Sequence, residues 1–200
     1  MKYVSIDIET TGLNPETCDV LEIGAVIDTD PSVPIDKLPT YRFRVIQDTY
    51  RGEPYALSMH KELFADIAAN RLNIKVPDED FCNLYGKPGH FSQTFDVWLQ
   101  RYGIPPFNFV VAGKNFANFD ARFLSKMPGV GHFLKWHHRI LDPGSMFVLP
   151  TDLRVPGTDE CCERAGINPK DFPGKWHTAI FDSQIVVALV RKGLRQHETA

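Results

Sequence analysis

Asp7 and Glu9 are the first residues whose types and spacing suggest chemistry. They lie two apart in Val4-Ser5-Ile6-Asp7-Ile8-Glu9, where apolar and polar side chains alternate. Alternation with a period of two is a strand pattern, and it sends both carboxylates to one face and Ile6 and Ile8 to the other. Two carboxylates side by side repel unless a cation lies between them, so the pair reads as a metal site. The solvated face of an edge strand would carry the same pair, so spacing alone does not choose between the two.

The residues that follow add context. Asp7-Ile8-Glu9-Thr10-Thr11-Gly12-Leu13 runs the pair into a tight turn, whose backbone N–H groups could receive a terminal hydroxyl or phosphate. The string D-I-E-T-T-G-L resembles the first motif of the DEDD exonucleases, the superfamily of proofreading exonucleases, ribonuclease T and oligoribonuclease. That family has a second motif with an Asp in mid-chain. Gly113-Lys114-Asn115-Phe116-Ala117-Asn118-Phe119-Asp120 is similar to it, following a short apolar strand and opening a helix. Taken alone, Asp120 is a helix-start charge that complements the macrodipole. The family's commoner form has an Asn three residues before the Phe of the Phe-Asp pair. Here Asn115 stands four before Phe119, a longer spacing that some members share.

The third element, His177-Thr178-Ala179-Ile180-Phe181-Asp182, resembles the H-x-A-x-x-D signature of the DEDDh branch. A lone His at a helix start would ordinarily be a surface residue or a cap. The alternative subclass carries a Tyr near this position, and none is present here. The resemblance runs from Tyr3 to Leu194, although residues 72–90 match nothing in the family.

The resemblance implies a metal-dependent 3′→5′ exonuclease that releases nucleoside monophosphates from single-stranded DNA or RNA ends. Asp7, Glu9, Asp120 and Asp182 become the ligands of two divalent cations, Mg²⁺ or Mn²⁺, as oxygen donors favour. Asp7 bridges the ions, Glu9 and Asp182 complete one site, and Asp120 supports the other. His177 becomes the general base, the side chain type that titrates nearest neutrality. The backbone of Thr10, Thr11 and Gly12 is implied to grip the terminal nucleotide, with Leu13 against its base and Asn115 as a further contact. Leu57, Met59 and His60 open a helix that often lines the same pocket in the family, although plain helix packing explains them equally well. Lys114, Arg122 and Lys175 lie near motif residues and could meet phosphates, but solvated surface charge is the commoner role of such residues. An alternative is a proofreading or accessory subunit acting on a polymerase or repair partner, although the chain shows no tethering tail.

Other metal-capable side chains carry less. His132, His137, His138, Cys161 and Cys162 fit no strong zinc spacing, and adjacent cysteines on a helix diverge. Asp142 reads as a turn or cap residue.

These motifs need a scaffold to bring them together. The pattern predicts strands over 2–9, 20–27 and 41–46, separated by turns and a Pro- and Asp-containing loop at 29–40. Leu57, His60, Leu63, Phe64 and Ile67 predict a helix over 56–70. Residues 72–90 read as an insertion or long loop, with Pro77, Gly86, Pro88 and Gly89. Helices follow at 91–102 and 118–126, with short strands at 109–112 and 139–141. A short helix is expected over 158–165, capped by Thr158 and Gly166. The last helix is expected over 177–194. Strands first, then helices interleaved with short strands, indicate one α/β domain spanning 1–200. The resemblance makes this a ribonuclease H-like exonuclease fold, with a mixed central sheet of about five strands flanked by helices.

Composition sets the outer limits. A chain of 200 residues with 43% hydrophobic and 24% charged residues can bury one sizeable core, which argues against disorder. Its formal net charge of −3 lacks the basic excess of a protein that tracks long duplexes. Contact with a short stretch near a strand end, helped by bound cations, fits better. The four cysteines form no C-x-x-C and no secretory segment precedes the first strand, which points to reduced thiols and a cytoplasmic location. No apolar run approaches the ~20 residues of a membrane span. A protein partner is allowed but not indicated, and nothing in the sequence sets the oligomeric state.

Overall fold

The structure, a computed structural model, describes residues 1–72, 81–174 and 177–196. Its first three strands are β1 (Tyr3–Thr10), β2 (Val20–Asp28) and β3 (Thr40–Val45), paired antiparallel. The chain then forms α1 (Pro54–Met59), α2 (Lys61–Ala69), β4 (Phe81–Gly86) and α3 (Pro88–Arg101). After these come β5 (Phe107–Phe109), β6 (Val111–Ala112), α4 (Asp120–Leu124), β7 (Lys135–Trp136) and α5 (Pro143–Met146). The C-terminal part supplies α6 (Thr158–Ala165) and α7 (Ala179–Gln196).

The main sheet has five strands in the order β4-β3-β2-β1-β6, with β4 parallel to β3 and β6 parallel to β1. This is the mixed, helix-flanked sheet the sequence implies. β2 is buried along its whole length, as a strand covered on both faces must be. One face carries Ile6, Ile8, Ile23, Tyr41 and Phe43 against Phe91, Phe95, Trp98 and Leu99 of α3. Aromatic rings supply much of that contact, with Tyr41 edge-on to Phe95 at 4.9 Å. The opposite face, bearing Ser5, Asp7 and Glu9, receives α7 through Tyr3, Val26, Val186, Val187 and Val190. A satellite core joins Phe181, Ile185 and Leu189 of α7 to Cys161, Cys162 and Ala165 of α6.

Several predicted elements change in detail. Residues 81–86, expected within a loop, form β4. Asn83 and Gly86 blur its alternation, and its partner β3 is distant in sequence. Residues 73–80 of that expected loop lie outside the described residues. The helix expected over 56–70 is divided at His60, whose φ of −94° and ψ of 26° separate α1 from α2. α3 starts earlier than predicted because Pro88 occupies its first turn, where a missing N–H costs nothing. The expected strand at 109–112 splits at Val110, so that β5 pairs with β7 in a separate two-stranded sheet. The expected strand at 139–141 is reduced to one bridge between Ala112 and Leu141. The N-cap of α6 is Gly157, not Thr158; the Glu160 carboxylate accepts its N–H at 2.8 Å. Gly166, with φ 64°, ends that helix as expected. α7 begins two residues after His177. Among the described residues no helix is long and apolar enough to cross a membrane.

Candidate active site

β1 delivers Asp7 and Glu9 to the face that α7 covers, and Asp182 arrives from the first turn of α7. One oxygen from each of these three carboxylates can be chosen so that all lie within 4.8 Å of one another. Among the described residues this is the one cluster of three or more metal-capable side chains. Asp120 approaches from the side. β6 pairs with β1 through Val4 and Ser5, and beyond that point the Ile8 N–H is taken by Asp120 Oδ1 at 3.1 Å. Asp120 is thereby fixed beside β1 at the start of α4, buried to 3% exposure.

The electrostatics of this cluster are unfavourable without a cation. Burial, followed by the charges of Asp120, Glu9, Asp182 and Glu22, lifts the Asp7 carboxyl well above the usual range. Burial and the charges of Asp182, Glu22 and Asp120 push Glu9 up to about 8. Burial raises Asp120 to about 7 against its backbone hydrogen bonds, and raises Asp182 to about 6 against the opposing influence of His177. Asp182 also has a buried oxygen, Oδ1, with no hydrogen-bond donor among the described residues. A buried, unpartnered carboxylate oxygen facing two other carboxylates is what a hard divalent cation satisfies. The donor set is all oxygen, which fits Mg²⁺ or Mn²⁺.

His177 precedes α7 in a left-handed conformation, φ 60°, uncommon for a residue with a Cβ. Its backbone N–H donates to the Asp182 carboxylate, and its side chain is exposed. It borders two recesses. One, about 870 Å³, contains Asp7, Asp182, Lys114 and the start of α6. The other, about 440 Å³, is walled by Met59, His60, Lys61, Arg42, Arg44 and Glu22. His60 lies at the α1–α2 junction with Nε2 3.7 Å from Glu9 Oε2. Burial, then the proximity of His177, holds the His60 imidazole below its ordinary range.

The turn after β1 is tied to the approach to α1. The Thr11 side chain accepts the Asp19 N–H at 2.7 Å and donates to the Arg51 carbonyl. The Thr11 N–H donates to the Asp19 carbonyl, and the Thr11 carbonyl accepts from Glu53. Both polar groups of Thr11 thus shape the turn, as does the Thr10 hydroxyl, which donates to the Gly12 carbonyl at 2.7 Å. Leu13 stands out at the turn's tip with 73% exposure, and its N–H donates to Glu53. Met59 is exposed and Leu57 half-buried.

Asn115 also has a local task. Its φ of 58° makes the turn before α4, its N–H donates to Asp142 at 2.9 Å, and its carbonyl accepts from Asn118 and Phe119. Asp142 is the cap the sequence suggested, accepting from Gly144 as well. Arg122 is exposed, Lys114 lines the larger recess, and Lys175 lies outside the described residues. The cysteine and histidine candidates stay apart in role. Cys161 and Cys162 are buried free thiols in the core, and His137 stacks on His138.

Glu22, Arg42, Arg44 and Asp66 were not anticipated. Arg42 donates to Glu22 at 2.7 Å, and Arg44 lies between Glu22 at 3.3 Å and Asp66 at 2.6 Å. The available signal was a single glutamate inside the otherwise apolar run of β2, opposite a strand with arginines at alternate positions.

Comparison with solved structures finds "Exonuclease X in complex with 5′ overhanging duplex DNA", with TM-score 0.60 and 20% identity. The alignment covers 98% of this chain and 93% of that one, so the two share a fold over nearly their whole lengths. No family model matches the sequence, and no curated protein matches it.

Proposed function

We propose that the protein is a metal-dependent 3′→5′ exonuclease of the DEDDh type. The observation that carries this reading is the convergence of Asp7, Glu9 and Asp182, one with an orphaned buried oxygen, beside Asp120 and His177. The likeness in fold to exonuclease X supports it. Asp7, Glu9, Asp182 and Asp120 would hold two divalent cations, which when bound stabilise charge on the attacking and leaving oxygens of a phosphodiester. Their mutual repulsion keeps the site receptive to cations and hostile to phosphate until these are present. His177, exposed and anchored through its N–H to Asp182, takes the proton from the attacking water as general base. Leu13 and Met59 offer apolar surface for the terminal base, and Lys114 a cation for the strand's phosphates.

The test is a polarity and sugar comparison. Single-stranded DNA, RNA and a duplex with a recessed 3′ end, each labelled separately at either terminus, are incubated with Mn²⁺, Mg²⁺ or EDTA. Stepwise release of nucleoside 5′-monophosphates from the 3′ end, dependent on metal, is expected. Internal cleavage, release from the 5′ end, or inertness of every substrate would overturn the proposal.

A further inference from the structure

Glu22 occupies a position that the chemistry above does not use. It is 1% exposed and lies opposite Glu9 on the neighbouring strand, facing the same side of the sheet. A further acidic side chain so near a cluster of carboxyls needs compensation, and Arg42 and Arg44 provide it on Oε2. The other oxygen is directed elsewhere: Oε1 accepts the Ala179 N–H at 3.1 Å. Ala179 is the first residue of α7, so Glu22 satisfies one of the N–H groups that a helix start leaves without an intrahelical partner. Around this bond β2 and α7 are in direct contact. A Cβ at Gly24 would overlap the Ala179 backbone, and the Ser183 hydroxyl donates to the Gly24 carbonyl at 3.2 Å.

The bond matters because of what stands on either side. Two residues before Ala179, His177 has its left-handed backbone; three residues after, Asp182 faces Asp7. A non-glycine residue in that conformation persists when its surroundings over-determine it. His177 is held on one side by its N–H to Asp182, and on the other by the helix start that Glu22 fixes. Arg44 extends the brace to Asp66 of α2, the helix that follows His60. Both histidine-bearing junctions are therefore linked by one partly buried charge ladder that lines the smaller recess.

We propose that Glu22 is a positioning residue that holds the His177 segment in its working conformation through the Ala179 N–H. This rests on the exonuclease reading, with His177 as base. Glu22→Ala is expected to lower kcat by about 10- to 100-fold, as displacement of a catalytic group by ~1 Å does, with little change in KM. In a His177→Ala background the same substitution is expected to change kcat less than about threefold, because the group it positions is gone. Glu22→Gln keeps an oxygen for Ala179 while losing the charge; its melting temperature falls but kcat largely persists. If kcat instead falls in step with melting temperature across the variants, or if Glu22→Ala costs the same in both backgrounds, the proposal is wrong. Should Glu22→Ala not fold, Glu22→Met, which fills the volume without an acceptor for the Ala179 N–H, is put through the same comparison. The imidazole Cε1–Hε1 resonance absent from His177→Ala identifies the His177 ring. It is expected to shift or split in Glu22→Ala but to stay near its wild-type position in Glu22→Gln, both in metal-free buffer, and a resonance unmoved in Glu22→Ala overturns the assignment. An inactive wild-type protein would defeat the exonuclease reading, while the resonance would still report on Glu22.

Discussion

The metal-free protein should lose stability as pH rises, and Glu9 should supply a share of the loss that one substitution removes. Burial and its acidic neighbours raise Glu9 from 4.5 to about 8. A carboxyl with a raised folded-state pKa favours the fold while protonated. Its stabilisation is complete below the unfolded value near 4.5 and disappears as pH climbs through about 8. At about 1.36 kcal/mol per pH unit, the rise corresponds to roughly 5 kcal/mol. For a chain of this size each kcal/mol moves Tm by about 2–4 °C, so a fall of about 10–20 °C between pH 4.5 and 8.5 is expected in chelator. Differential scanning calorimetry of wild type and Glu9→Gln, each in EDTA and in excess Mg²⁺, separates this from the titration of the rest of the molecule. Glu9→Gln should flatten part of the slope, Asp7, Asp120 and Asp182 supplying the rest, and Mg²⁺ should raise wild-type Tm at pH 8 but not at pH 5. The reasoning fails if the two proteins show parallel slopes in EDTA, or if Mg²⁺ leaves wild-type Tm unmoved at pH 8.

Three further outcomes can be checked directly. His177→Ala should lower kcat by about 10²–10⁴ while Mn²⁺ binding measured by calorimetry persists, whereas Asp7→Asn and Asp182→Asn should abolish both. Leu13→Ala and Met59→Ala should raise KM for oligonucleotides with kcat nearly constant, since both are exposed apolar side chains that are neither metal-capable nor acid–base groups. Gly24→Ala should cost about 1–3 kcal/mol by overlap with Ala179, read by urea unfolding, and should depress kcat by displacing the start of α7.

Chemistry that resides in short segments could be read from the chain. Asp7 and Glu9 share a strand face because a strand has a period of two, and His177 and Asp182 are brought together by one helix start. Asp120 was legible as a residue but not as a contact. Its hydrogen bond to the Ile8 N–H depends on β6 ending early, which no local pattern encodes. The same limit hid β4, whose parallel partner β3 lies across two helices. It also hid the break at His60: Leu57, Leu63 and Ile67 keep helical spacing across a backbone that does not. Asn115 shows the converse. A motif position suggested a ligand contact, while its left-handed turn and bond to Asp142 give it a structural task.

The sheet presents two kinds of buried acid side by side, and their surroundings distinguish them. Glu22 has arginines at 2.7 and 3.3 Å and a backbone N–H at 3.1 Å, so its charge is answered within the protein. Among the described residues, Asp7, Glu9, Asp120 and Asp182 form no ion pair with any Lys or Arg; His60 at 3.7 Å from Glu9 is their nearest basic side chain. Burying carboxylates without counter-charge is costly enough that a structural site would neutralise them, as β3 does for Glu22. The proposed metal-binding set has no such ion pair, although only β2 separates β1 from the two arginines of β3. Moving Arg42 or Arg44 toward Glu9 would stabilise the apo fold and compete with cations for the same oxygens. The ladder through Glu22 holds them back, so the arginines do not take the carboxylate oxygens a cation would use.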